Sequence, residues 1–128
     1  VLLGSSLGGF YATYLSQRYS IPAVVINPAV RPFELLDNYL GPNYNPYQDT
    51  HYELDTRHMD ALRRLYLSQL DTPSLIYLLQ QTGDEVLPFQ QAVNYYSQCK
   101  QHVEFGGDHS FIGFEQTFAS IVDFLKIT

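Results

Sequence analysis

The sequence predicts an α/β fold, a mainly parallel sheet flanked by helices. Three observations carry this. Short apolar runs alternate with longer helical stretches along the 128 residues. The run at 23–26 is apolar throughout, as a strand covered on both faces should be. The runs end in clusters of Gly, Ser, Asn, Asp or Pro, which mark turns.

The elements follow in order. Residues 1–3 read as the end of a strand and 4–9 as a tight turn of small residues. A helix is predicted over 7–19, with Leu7, Tyr11, Tyr14, Leu15 and Tyr19 on one apolar face. Ser20 and Pro22 end it, residues 23–26 form a second strand, and Asn27-Pro28 stops that strand. A short helix is expected over 32–39, and the Gly, Pro, Asn and Tyr content of 41–50 reads as a loop. Asp55 or Thr56 caps a helix running to about Leu67. Strands at 74–79 and 101–105 then alternate with helices at 88–98 and 114–125. Phe114, Phe118, Ile121, Val122 and Leu125 give the last helix its apolar face.

The pattern fits one domain over 1–128. The stretch at about 29–70 is too long for a plain connection between parallel strands. It is a cap-like insertion, expected over a site. The chain opens Val1-Leu2-Leu3 inside a strand, so the expectation is the C-terminal part of a longer domain that lacks its first strands.

Charge and composition exclude several classes. The net charge is −6 with only 7 Lys and Arg, against nucleic acid or an anionic membrane as the main partner. No apolar run is long enough to span a bilayer. Cys99 is the single cysteine, which excludes an internal disulfide and a cysteine metal cluster. A reduced cytoplasmic setting is the default expectation.

Three loops carry candidate chemistry. Gly4-Ser5-Ser6-Leu7-Gly8 matches G-x-S-x-G between a strand and a helix, the context of a nucleophile elbow. A sharp turn holds the Ser6 hydroxyl out, and Gly4 and Gly8 are expected to keep Cβ atoms out of the turn. The Leu7 amide is the candidate oxyanion donor. The same composition also fits an ordinary Gly/Ser loop capping a helix. Asp84, in Thr82-Gly83-Asp84-Glu85, follows a strand at the edge where ligands bind in parallel sheets. It is the candidate acid, although turn Asp residues are common. Glu85 is the alternative and is expected to face away. His109, in Gly106-Gly107-Asp108-His109-Ser110, is the candidate base, with Asp108 shaping its loop.

Ser, then Asp, then His, each after its own strand, is the α/β-hydrolase order. His51, His58 and His102 have no metal-ligand spacing, so no metal is expected. Cys99 reads as structural. Arg31 reads as a solvated or ion-paired surface residue.

Four segments resemble the YqiA-type esterases, small bacterial α/β-hydrolases: 4–13, 27–36, 79–87 and 106–111. The resemblance covers essentially the whole chain. It implies a serine esterase with Ser6, Asp84 and His109 as its triad. Members of that family begin earlier, with a strand and a His-Gly loop that supplies the second oxyanion donor. The resulting expectation is a cofactor-free hydrolase of small-molecule carboxylic esters or thioesters, with homo-oligomer formation left open. Phe33, Leu36, Tyr39 and Tyr44 are the candidate acyl-pocket residues. A non-catalytic binding module on the same scaffold, a peptidase and an acyltransferase stay open as alternatives.

Overall fold

A computed structural model of the chain describes residues 1–35, 41–45, 50–54 and 56–126. Side chains are described for 1–34 and 56–126.

Four strands build the main sheet: β1 (Leu2–Ser5), β2 (Ala23–Ile26), β5 (Ile76–Gln81) and β6 (Lys100–Glu104), in the order β1-β2-β5-β6. All neighbours are parallel. The register aligns their C-terminal ends: Ser5 pairs with Ile26, Ile26 with Leu79, and Gln81 with Glu104. The loops leaving all four strands therefore emerge along one edge of the sheet. Ser6, Asn27, Asp84 and His109 all lie on those loops.

The central strands are apolar because both faces are covered. Ala23, Val24, Val25, Ile76, Leu78 and Leu79 are fully buried, each contributing about 1.5–3 kcal/mol for the larger side chains. One face carries a core of Val24, Ile26, Tyr77, Leu79, Phe111, Ile121 and Leu125. It is closed by α5 (Phe118–Leu125), which a short 3-10 turn over Phe114–Thr117 precedes. Helix α1 (Leu7–Tyr19) packs on β1 and β2, and α4 (Phe89–Tyr95) packs on β5.

Helix α1 has the predicted bounds but buries the opposite face to the one expected. Tyr11, Leu15 and Tyr19 are exposed, whereas Gly9, Phe10, Ala12, Thr13 and Ser16 are buried. Close approach decides this. A Cβ on Gly9 would lie 2.6 Å from Pro28 Cβ, so mainly small side chains fit beneath the helix. Thr13 Oγ1 donates to Gly9 O and shares a hydrogen bond of 2.7 Å with the buried Tyr96 hydroxyl.

Two other expectations shift. Strand β5 runs two residues beyond the predicted end, because Gln80 and Gln81 are buried there despite their polarity. On α5, Ile121 and Leu125 are buried but Phe118 and Val122 are exposed, so the apolar face is narrower than expected.

The chain divides into two compact units, Val1–Val30 with Leu67–Thr128, and Arg31–Tyr66. The second holds α2 (Pro32–Leu35), α3 (Thr56–Leu65) and an antiparallel pair, β3 (Gly41–Asn45) with β4 (Thr50–Leu54). Residues 41–45 and 50, expected in a loop, are thus strand. Pro and Asn dominate their composition, but a two-stranded pair has free edges that tolerate Pro42, and Thr50, Tyr44 and Tyr52 favour strand. Within this unit α2 packs on α3, Met59 and Leu62 are buried, and the Phe33 ring meets Tyr66 edge-to-face at 5.6 Å. Arg31 pairs with Glu34 at 2.6 Å, with both side chains substantially exposed, as its surface reading requires.

No helix among the described residues is long and apolar enough to cross a membrane.

Candidate active site

The site begins at the turn between β1 and α1. Ser6 sits there at φ 54°, ψ −122°, a conformation L-residues rarely adopt. Its backbone is held from two sides: Ser6 N–H donates to Ile26 O at 3.1 Å, and Ser6 O accepts from Gly9 N–H at 3.0 Å and Ala29 N–H at 2.9 Å. Two of the three contacts that hold the strained turn, those of Ile26 and Ala29, come from the end of the neighbouring strand, and the third comes from α1 itself. Gly4 is required: a Cβ there would lie 2.2 Å from Gly8 O. Gly8 is not the crowded position expected, since a Cβ on it would meet nothing within 4 Å. The second sterically demanded glycine is Gly9, under Pro28.

Leu7 is the first residue of α1, so its N–H has no acceptor within the helix. It carries no hydrogen bond among the described residues. A free amide at a helix N-terminus, next to Ser6, is suited to a developing negative charge.

Asp84 follows β5. Its Oδ1 accepts from the amides of Val86 at 2.9 Å and Leu87 at 2.8 Å, which fixes the carboxylate plane. Its Oδ2 lies 2.9 Å from His109 Nδ1. The other ring nitrogen, Nε2, lies 3.0 Å from Ser6 Oγ. An ionised carboxylate only accepts, so Nδ1 carries the proton and Nε2 accepts from the Ser6 hydroxyl. The Asp84 side chain is 0% exposed and that of His109 22%. The acid is thus shielded while the base keeps an open face.

The histidine loop is shaped by its own residues. Asp108 Oδ1 accepts from the Ser110 amide and hydroxyl, in line with its reading as a loop former. Gly106 and Gly107 have φ of 89° and 74°, which side chains rarely adopt. Glu85 does not face away as expected: its Oε2 accepts from the His109 backbone N–H at 3.0 Å. It braces the loop and leaves the ring to Asp84. Adjacent turn residues point to different atoms of one partner here, which the spacing alone does not reveal.

The remaining sequence candidates lie elsewhere. His102 Nε2 is 2.8 Å from Glu104 Oε2 in an exposed pair. The Glu104 carboxyl is held below its ordinary range by a hydrogen bond from Gln81 first and by His102 second. His58 is exposed on α3, and the side chain of His51 lies outside the described residues. Among the described residues no cluster of His, Cys, Asp and Glu is arranged to hold a metal. Phe33 is buried within Arg31–Tyr66. Leu36 and Tyr39, and the side chain of Tyr44, lie outside the described residues.

A parallel sheet whose Ser, Asp and His loops leave one edge in that chain order has the α/β-hydrolase fold. Solved structures share it. Est1E from Butyrivibrio proteoclasticus superposes with a TM-score of 0.69 at 16% identity, over 97% of this chain and 59% of its own. The mouse alpha/beta hydrolase domain-containing protein 10 gives 0.64 at 17% identity, over 99% and 62%. The esterase domain of a Rhodothermus marinus protein gives 0.64 at 14% identity, over 98% and 58%. The chain thus spans about three fifths of the length of these structures. It belongs to the uncharacterised protein family UPF0227, whose model matches residues 1–126, and the resemblance to YqiA-type esterases holds at the family level.

Proposed function

We propose that this chain carries the catalytic machinery of a serine esterase that cleaves carboxylic esters or thioesters. The observation that supports it is the continuous hydrogen-bonded line Ser6 Oγ–His109 Nε2, His109 Nδ1–Asp84 Oδ2. Ser6 Oγ attacks the substrate carbonyl while His109 Nε2 takes its proton. The carbonyl oxygen gains the negative charge, and the Leu7 N–H faces it. Collapse of the tetrahedral species expels the alcohol or thiol, which receives the proton from His109. Water then attacks the acyl-enzyme with His109 as base, releasing the acid and restoring Ser6. Asp84 holds the ring tautomer and offsets its charge at each protonated stage.

The substrate is a small-molecule ester or thioester. The acyl pocket is proposed on the insertion at about 29–70, with Leu36, Tyr39 and Tyr44 as its candidates, whereas Phe33 is buried in the core of Arg31–Tyr66. A single, buried Cys99 fits a reduced cytoplasmic setting.

A fluorophosphonate probe tests the reading directly. Labelling is expected at Ser6, with peptide mapping to locate it, and Ser6→Ala is expected to abolish both labelling and hydrolysis of p-nitrophenyl esters. Knocking out a triad serine costs about 10⁶ in kcat. Undiminished turnover by Ser6→Ala sinks the proposal.

A further inference from the structure

The residue after β2 reads in the sequence only as a strand stop. Asn27 is fully buried, with φ 41°, in the left-handed region that Asn tolerates better than most residues. A buried amide must use its donors and acceptor, and the partners of this one are all at the site. Nδ2 donates to Asp108 O at 2.9 Å and to His109 O at 3.0 Å. Oδ1 accepts from the Gln81 amide at 2.9 Å. The Asn27 backbone N–H donates to Leu79 O at 2.9 Å, continuing the pairing of β2 with β5.

The same short segment holds the nucleophile. Ile26 O accepts from Ser6 N–H, and Ala29 N–H donates to Ser6 O. One face of 26–29 therefore fixes the Ser6 backbone, and the Asn27 side chain fixes the backbone that carries His109. Gln81 completes the clamp. Its Oε1 accepts from Asp108 N–H at 3.1 Å and Ile112 N–H at 2.9 Å, and its Nε2 donates to Ile112 O at 2.7 Å and Glu104 Oε1 at 2.8 Å. A Cβ on Gly107 would lie 1.9 Å from that Oε1, so the loop is seated closely on the amide.

We propose that Asn27 is a positioning residue for the Ser6–His109 pair: its amide ties the histidine loop to the strand end that holds the nucleophile, and so sets the reach of the imidazole. The catalytic consequence rests on the serine-hydrolase reading, whereas the placement of His109 against Asp84 does not. A displacement of about 1 Å in such a site costs about 10²-fold in rate.

The test uses the full-length protein that carries this chain and two readouts. Asn27→Gly keeps the left-handed backbone and removes the amide. Asn27→Asp keeps size and backbone preference, but sets a carboxylate against two carbonyl oxygens. The first readout is fluorophosphonate labelling of Ser6, resolved into a saturation constant and a maximal rate. A fall of about 10–100-fold in the maximal rate, with the saturation constant and the labelled fraction unchanged, is expected; a merely structural role lowers the labelled fraction instead. The second is the low-field proton resonance of the His109 Nδ1–H on Asp84, assigned by its loss in Asp84→Ala. It is expected to vanish or broaden in both variants. Labelling rates within twofold of the parent, with the resonance intact, overturn the proposal. If Asn27→Gly does not fold, Asn27→Asp carries both measurements, and the same outcomes support or overturn the proposal. Failure of the unsubstituted chain to label at Ser6 overturns the hydrolase reading alone. The resonance then decides the positioning role: persistence in the variants refutes it, and loss supports it.

Discussion

Asp84 divides its two carboxylate oxygens, Oδ2 facing His109 Nδ1 at 2.9 Å and Oδ1 taking two backbone amides. The amides fix which oxygen meets the ring. The ring in turn has no freedom to exchange its nitrogens, because Nε2 is committed to Ser6 Oγ at 3.0 Å. The order of donors and acceptors along this line is set by Asp84.

Asp84→Asn is expected to keep the fold and remove the activity. The Asn carbonyl stays on the Val86 and Leu87 amides, which leaves its NH₂ facing Nδ1. Nδ1 must then accept, and Nε2 carries the proton toward Ser6 Oγ. A ring in that tautomer cannot take the serine proton. The expected loss is about 10⁴ in kcat for an activated ester, with an unchanged melting temperature within about 3 °C. Retention of a tenth of parental kcat would contradict the assignment of Asp84.

Gly4→Ala and Gly8→Ala are expected to differ sharply, although both glycines belong to one motif. The Cβ at position 4 meets a backbone carbonyl at 2.2 Å, which only a shift of the elbow relieves. The Cβ at position 8 meets nothing within 4 Å and lies in the first turn of α1. Gly8→Ala should therefore be neutral or stabilising by up to about 1 kcal/mol. Gly4→Ala should lower stability by more than about 2 kcal/mol and reduce Ser6 labelling. Urea denaturation of the two variants side by side decides it, and equal midpoints would refute the steric account.

These glycines also show how far the sequence could be read. The motif located the elbow, because strand, small-residue turn and helix are local patterns. It did not say which glycine is needed, because the crowding at Gly4 and Gly9 comes from the turn's own three-dimensional path and from Pro28 on another strand end. The same limit hid Asn27 and Gln81, whose partners are 81 and 31 residues away along the chain. Ser6 and Asp84 were legible because each sits in a turn that follows an apolar run, and His109 because it lies in a Gly-rich loop after a strand, although that strand, Lys100–Glu104, is largely polar. The face of α1 was not, because Tyr and Leu spacing marks an apolar stripe without telling how closely the sheet lies beneath the helix.

Phe33→Ala is expected to loosen Arg31–Tyr66. The ring is 6% exposed, meets Tyr66 edge-to-face, and has the Arg31 and Arg63 guanidiniums each 5.4 Å from its centre. Truncating a buried Phe costs about 3–5 kcal/mol, and two cation–π contacts go with it. Limited proteolysis should show faster cleavage inside 31–66 than in the parent, and Phe33→Leu should restore most of the resistance. Parental cleavage rates in Phe33→Ala would show that this ring is not part of the unit's core.

Cys99 links burial to pH. Cys99 lies on the turn that joins α4 to β6, its thiol is buried, and desolvation pushes its pKa up to about 11. An unfolded cysteine titrates at about 8.5. Below that value both states hold the proton and the group contributes no pH dependence. Between about 8.5 and 11 the unfolded chain loses its proton while the folded chain keeps it, so stability falls as pH rises through this window. Cys99→Ala removes that contribution, and its urea midpoint should decline less steeply than the parent's from pH 8.5 to 10. Above pH 10 both curves should steepen further, because burial also raises the Tyr96 phenol and this is common to both, while their difference in slope persists to about pH 11. The same burial predicts slow alkylation: at pH 8 only about one folded thiol in a thousand is the reactive thiolate. Iodoacetamide should modify the native protein at least a hundredfold more slowly than the protein in denaturant. Equal slopes for parent and Cys99→Ala, or comparable alkylation rates in the folded and unfolded states, would refute a buried, protonated thiol.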